Sequence, residues 1–282
     1  SGSLLPPSPA LRISGSLLLS SLAIAFLPWL SFRFFLPAFI LLCLRVGPRR
    51  GISPSRPLAR VIPVLLFLSS LALFFSYQHR AFGSLNPAAG YLYQNYGERG
   101  MTSRGILDGF FGILLDRGHG ILTWSPVYAL ALTALFLLFR ERRSLALWIS
   151  VLILALYLPG AQFIFWWGGF APPPRYMVVP APVLGGALCY ALARKPRPSF
   201  TAIFAVLLAS SFLFGYLGCA HPGLLYKHHH LVTHYLSAFP IRLFPSFVKK
   251  GFSTWPLTVL WLSTILALNG FFFSRWNQLD NT

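Results

Sequence analysis

The sequence predicts an all-α fold: a polytopic transmembrane helix bundle of about eight spans, with an amphipathic helix on its outer face. Three observations predict it. The 282 residues are 56% hydrophobic and only 10% charged, whereas a soluble domain carries about 25% charged residues. Apolar runs recur along the whole length, as a chain that crosses lipid repeatedly requires. The basic residues behind the net charge of +18 sit in short clusters between those runs. That is where juxtamembrane anchors belong, and it argues against nucleic acid as a partner.

Taken in order, residues 1–12 read as a polar tail. The first spans occupy 13–77, as apolar runs at 13–30, 34–44 and 61–77. The second run is short, and only "PWLSFR" separates it from the first. The pair therefore reads as two tight spans or as one span and a re-entrant piece, a choice that alters only the side of the N-terminus. Residues 78–120 form an outer loop. Within it, 104–116 places Gly105, Asp108, Gly109, Gly112 and Asp116 at spacings of three and four. These make a small, acidic stripe, with Ile106, Phe110, Ile113 and Leu114 elsewhere on the wheel. The pattern predicts an interfacial helix bent by "DRGHG" into the next span.

Central spans follow across 121–217, with runs at 121–139, 144–165, 176–193 and 199–217. On the third of these, Ala181, Gly185 and Cys189 lie one turn apart, a spacing that allows close helix packing. Residues 218–254 form a second outer loop, basic and rich in histidine. Residues 255–282 hold the last span and a tail. Residues 1–282 read as a single integral membrane domain without internal repeats. Cys43, Cys189 and Cys219 lie in or near apolar runs without a CxxC, so no disulfide framework is indicated.

Short basic loops set the orientation. Arg45, Arg49, Arg50, Arg56 and Arg60 form one cluster, Arg140, Arg142 and Arg143 a second, and Arg194, Lys195 and Arg197 a third. They alternate correctly for eight spans and belong on the cytoplasmic side. All seven histidines then fall on the outer side, with Glu98, Asp108 and Asp116, while Glu141 and Asp280 are cytoplasmic. Any chemistry belongs to the outer face.

Four groups there are candidates. "FWWGGFAPPPRY" ends a span in tryptophans, bars a regular helix with glycine and proline, and then presents Arg175. Burying that charge at the bilayer centre would cost roughly 2.5–3.5 kcal/mol, so it stays near the surface or faces a cavity. A guanidinium in such a place suits a phosphate; its dull alternative is an anchor snorkelling to lipid headgroups. Asp108, Asp116 and Glu98 are candidate bases or ligands for a divalent metal. Their dull alternative is Arg104–Asp108 and Asp116–Arg117 pairing on a wet helix face. "KHHHLVTH" sets His230 and His234 one turn apart, a spacing for zinc if a third ligand exists, or else a solvated basic loop. "QNYGERG" at 94–100 lacks phosphate-loop spacing, and no Walker motif, HExxH or GxSxG occurs.

"GILLDRGHGILTWSPVYALAL", followed by "WWGGFAPPPRYMVVPAPVL", resembles a bacterial group of polytopic membrane proteins within the GT-C glycosyltransferase superfamily. That superfamily includes the protein O-mannosyltransferases and the aminoarabinose transferases. "LPWLSFRFFLPAFILL" and "FGSLNPAAGY" are similar to other stretches of the group, so the resemblance spans most of 20–190. It implies an enzyme of the bacterial inner membrane that takes a sugar from a polyprenyl-phosphate carrier on the outer face and passes it to a lipid, glycan or protein. Arg175 matches the arginine of the pattern's "RY" and is assigned to the carrier phosphate. Tyr176, Trp166, Trp167 and Arg117 are the further candidate substrate-binding residues. Asp116 and Arg117 match a "DR" pair for which a structural role at the helix–span corner is an equal alternative. The chain departs from the family in two respects, one being that the family is generally longer, with more spans. GT-C enzymes carry a catalytic acid in the first outer loop, and here no acid precedes Glu98. The chain is therefore expected to correspond to a C-terminal portion without turnover of its own. The competing expectation is a non-catalytic membrane protein, either a transporter or a lipid-binding scaffold. Spans clear of ionisable residues count against ion-coupled transport.

Overall fold

The computed structural model describes residues 15–47, 58–90, 106–163, 166, 175–194, 198–220, 243–248 and 254–277, and every regular element among them is helical. The chain divides into two compact units, Ser1–Glu98 and Arg99–Thr282.

The first unit holds α1 (Gly15–Leu30), a 3-10 turn (Phe32–Phe34), α2 (Phe35–Val46) and α3 (Leu58–Phe82). The tight turn makes α1 and α2 two separate helices. Ser70 on α3 joins two groups of α1: its hydroxyl accepts from Trp29 Nε1 at 3.0 Å and donates to the Ala25 carbonyl at 2.6 Å. Phe74 receives the ring edges of Trp29 and Phe35 at 5.4 and 5.2 Å. Ala38, Leu42 and Phe67 form a small core between α2 and α3.

The second unit holds α4 (Ile106–Leu115), α5 (Ile121–Trp124), a 3-10 segment (Pro126–Leu130), α6 (Ala131–Glu141), α7 (Arg143–Gln162), a 3-10 turn (Arg175–Met177), α8 (Pro180–Ala193), α9 (Pro198–Ala220) and α10 (Thr254–Asn277). Across both units, four stretches are long and apolar enough to cross a bilayer: Arg60–Phe82, Arg143–Gln162, Pro198–Ala220 and Thr254–Trp276. They mark a membrane protein. Other apolar runs make shorter helices: α1, α2, α4 and α8.

The run at 121–139 does not form a continuous helix. Pro126 lacks the N–H that would extend α5, and the chain tightens into the 3-10 segment before α6 begins. Inside lipid, backbone groups freed by such a break need partners. Neighbouring helices supply them. The Val127 N–H donates to Ser211 Oγ on α9 at 3.3 Å. Asn269 on α10 does more. Its Oδ1 accepts from the Thr133 N–H at 2.7 Å and from the Thr133 hydroxyl at 2.5 Å, and its Nδ2 donates to the carbonyls of Ala129 at 2.8 Å and Ile265 at 2.7 Å. One side-chain amide thus uses both its ends to carry the chain from the 3-10 segment into α6.

Two ends of the second unit can be told apart. At one, Glu141 closing α6 binds the Tyr190 hydroxyl at 2.7 Å and pairs with Arg194, which follows α8. The α6–α7 turn and the C-terminal end of α8 therefore share this end. The hydrogen bond to Tyr190 is the chief reason that the Arg194 guanidinium is held above its ordinary value. At the other end lie the corner after α4, the end of α7 and the start of α8.

The small stripe expected on α8 is not its packing face. Among the described residues nothing lies within 4 Å of where a Cβ would stand on Gly185, and Cys189 is exposed. Leu184, Ala187, Leu188 and Ala191 are buried instead. Ala187, Leu188 and Ala191 share a core with Leu130, Ala134 and Leu137 from the α6 side. Apolar bulk set against apolar bulk decides the face.

Candidate functional site

The corner between α4 and α5 is built around Asp116, which is only 1% exposed. "DRGHG" turns sharply, and the carboxylate collects the donors that the turn releases. Oδ1 accepts from the N–H of Gly118 at 2.9 Å and of His119 at 3.0 Å, and His119 Nδ1 lies 3.1 Å away. Oδ2 accepts from the Phe247 N–H at 2.8 Å. The Asp116 carbonyl accepts from the Gly120 N–H at 2.8 Å and the Thr123 hydroxyl at 3.0 Å. Trp124 Nε1 closes the corner on the Gly118 carbonyl at 2.8 Å. A carboxylate so engaged is a brace: both oxygens are already held by donors of the fold. Asp116 neither pairs with Arg117 nor lies on a wet helix face, whereas the Arg104–Asp108 pairing lies outside the described residues because Arg104 does. Asp116 is buried because backbone N–H groups, not a neighbouring guanidinium, satisfy it.

Through Phe247 the corner grips the segment 243–248, which sequence reading had left inside the basic loop. Its other contacts are explicit. The Arg117 N–H donates to the Pro245 carbonyl at 2.9 Å. On α10, Trp261 Nε1 donates to the Leu243 carbonyl at 2.8 Å, Thr254 Oγ1 donates to the Ser246 carbonyl at 3.1 Å, and the Trp261 and Phe244 rings stack at 4.1 Å. The only cue in the sequence is "LFPSF", two aromatics about a proline.

Trp166 joins the same structure. Its ring meets His119 edge-on at 6.3 Å and Phe247 at 6.4 Å, and it is buried. A Cβ on Gly112 would stand 2.4 Å from that ring. A Cβ on Gly109 would stand 2.0 Å from the Ala161 carbonyl oxygen on α7. The Tyr157 hydroxyl of α7 donates to the Phe110 carbonyl across the same contact. The glycine stripe of α4 therefore faces protein, while Ile106 and Leu107 are exposed. Small residues let α4 approach α7 and Trp166 so closely that no side chain fits between.

The remaining candidates separate. Arg175 opens its 3-10 turn and is exposed. Tyr176 is half-buried, its ring 3.2 Å from where a Cβ on Gly160 would stand. Arg117 is half-buried, and its Nε is buried without a hydrogen-bond partner among the described residues. Asp108 lies in the first turn of α4, half-buried, where the helix N-terminus favours an acid. Glu98, Trp167, His230 and His234 lie outside the described residues. Among the described residues no three His, Cys, Asp or Glu side chains gather as a metal site. The structure thus brings Asp116, Arg117, His119 and Trp166 to the end of the second unit at which Arg175 and Tyr176 begin the path into α8. Comparison with protein-family models, curated proteins and solved structures returns no match.

Proposed function

We propose that this chain is a membrane glycosyltransferase-like protein of about eight spans that holds a polyprenyl-phosphate-linked sugar at the Asp116 end of its second unit. In this reading that end faces the extracytoplasmic side of a bacterial inner membrane, with α4 in the interface, and the basic end faces the cytoplasm. The observation that supports it most is Arg117. Its neighbour Asp116 is fully engaged by other donors, so the half-buried guanidinium keeps a buried Nε for which the described residues offer no acceptor. A guanidinium whose buried Nε finds no acceptor among the described residues fits an anion that arrives in the membrane, and a lipid phosphate is such an anion.

Transfer breaks the bond between the sugar's anomeric carbon and the phosphate oxygen. Arg117 and Arg175 would stabilise the charge that grows on the departing phosphate. Asp108 is the acid of α4 with partial solvent access, and it is the described candidate for taking the acceptor's proton. The alternative, a non-catalytic lipid-binding scaffold or transporter, is favoured by the structural employment of Asp116.

The chain purified into nanodiscs should bind a polyprenyl phosphate and not the corresponding polyprenol. Arg117→Gln and Arg175→Gln should each weaken that binding about tenfold, equivalent to ~1.4 kcal/mol. Arg60→Gln, at the start of α3, should leave it unchanged. Equal affinity for the alcohol, or equal loss from Arg60→Gln, would refute the carrier site.

A further inference from the structure

The opposite end of the second unit carries a second constellation, independent of the carrier site. Arg140, Arg142 and Arg143 surround the turn from α6 to α7, and Arg194 follows α8; all four are exposed. They converge because Glu141 pairs with Arg194 while its carboxylate also accepts from the Tyr190 hydroxyl at 2.7 Å. Arg194 in turn donates to Tyr190 at 2.8 Å and lies over its ring at 5.0 Å. The acid of this cluster is thus spent on tying α6 to α8. It cancels one charge, and neither Arg142 nor Arg143 forms an ion pair among the described residues. Arg143 lies over the Phe139 ring at 5.4 Å, a contact with the ring face that leaves the guanidinium its charge. Directly below the cations the surface turns apolar: Leu132, Phe136, Phe139, Leu145 and Leu147 are exposed on α6 and α7. At the same end α10 repeats the arrangement, with Arg275 over exposed Phe271 at 5.3 Å.

Cation above and hydrocarbon below is the complement of one ligand class. We propose that the α6–α7 turn and the end of α8 form a headgroup site for an anionic phospholipid. The phosphate meets Arg142 and Arg143, and the acyl chains lie along Phe136 and Phe139. A nucleic acid or acidic peptide would match the charge but leave the apolar flank uncovered. A zwitterionic lipid would match the flank but bring its own cation to the arginines. Contact with an anionic surface contributes about 1 kcal/mol for each basic side chain.

Native mass spectrometry and thermal unfolding of the detergent-purified chain test this, with phosphatidylglycerol and phosphatidylcholine of identical chains as probes. Phosphatidylglycerol should bind and raise the melting temperature, and phosphatidylcholine should do so far less. In R142Q/R143Q, phosphatidylglycerol binding should fall roughly thirtyfold, while R80Q, on α3 of the first unit, should retain it. Should the double variant not purify as a folded protein, R143Q alone is measured and should lose about fivefold. Equal shifts with both lipids, an equal shift with inorganic phosphate at the same concentration, or undiminished phosphatidylglycerol binding in the variants would overturn the proposal.

Discussion

Helices α4 and α8 carry the same local signature, small residues about one turn apart, and the fold treats them oppositely. On α4, Gly109 and Gly112 press against the Ala161 carbonyl and the Trp166 ring. On α8, Gly185 faces open space among the described residues and Cys189 is exposed. Spacing alone permits close approach without requiring it. What differs is a device that holds the helix in place. The α4 stripe runs into Asp116, whose carboxylate locks the next turn to the segment 243–248. Among the described residues the α8 stripe leads to no comparable brace, and that helix is seated by its Leu184, Ala187 and Leu188 face. A small residue becomes an interface where something else has already fixed the partner at contact distance.

Removing the brace should have the largest effect. Asp116→Ala strands the buried N–H groups of Gly118, His119 and Phe247. Each buried donor left unpaired costs about 1–3 kcal/mol, so the loss should be on the order of 5 kcal/mol. Asp108→Ala, on the half-exposed first turn of the same helix, should cost about 1 kcal/mol or less. Unfolding of both variants in mixed micelles measures the difference. Similar small losses would mean that Asp116 does not hold α4, and the contrast with α8 would lose its cause.

Gly109→Ala comes next. Its methyl group would meet a backbone carbonyl rather than a movable side chain, so α4 and α7 must separate. A cost of about 3 kcal/mol, at the upper end for overpacking, is expected from the same unfolding measurement. Ala187→Leu overfills the face that α8 does use, since Ala187 is 1% exposed within its core. It should cost about 1–3 kcal/mol, less than Gly109→Ala because surrounding side chains can repack. A neutral Ala187→Leu would show that α8 is seated by neither face.

The sequence made much of this legible, and the reasons for the remainder are specific. Helical class and the four long apolar stretches follow from hydropathy, because a bilayer imposes length and composition on any segment that crosses it. The corner at "DRGHG" is legible from its glycines. The direction of the glycine stripe is not, since a wheel shows which residues share a face but not what the face meets. Hence Asp116 reads as a wet acid although it is a buried brace. Asn269 is an amide and carries no charge to mark it, yet an Asn in the apolar interior of a helix next to a proline-broken neighbour is a readable cue. The strap at 243–248 was beyond reach: its contacts to Asp116 and Trp261 join residues far apart in the chain through backbone groups, which carry no sequence signature. Trp166, a candidate substrate-binding residue by the resemblance, packs against Gly112. Arg175 is exposed, which fits an anchor and a phosphate ligand alike, so the binding comparison with Arg117 carries more weight than its position.

The smallest expected effect is the sharpest test of the comparison. Gly185→Ala adds a methyl group where no described residue lies within 4 Å, so no packing among them is lost. Alanine also restricts the unfolded backbone and favours the helix by up to ~1 kcal/mol over glycine. The variant should therefore unfold at the same denaturant fraction as the parent or slightly later, in direct contrast to Gly109→Ala, the same substitution on the other stripe. If Gly185→Ala instead destabilises as Gly109→Ala does, the open face of α8 is a contact in the assembled protein, and the seat of that helix must be assigned to both of its sides.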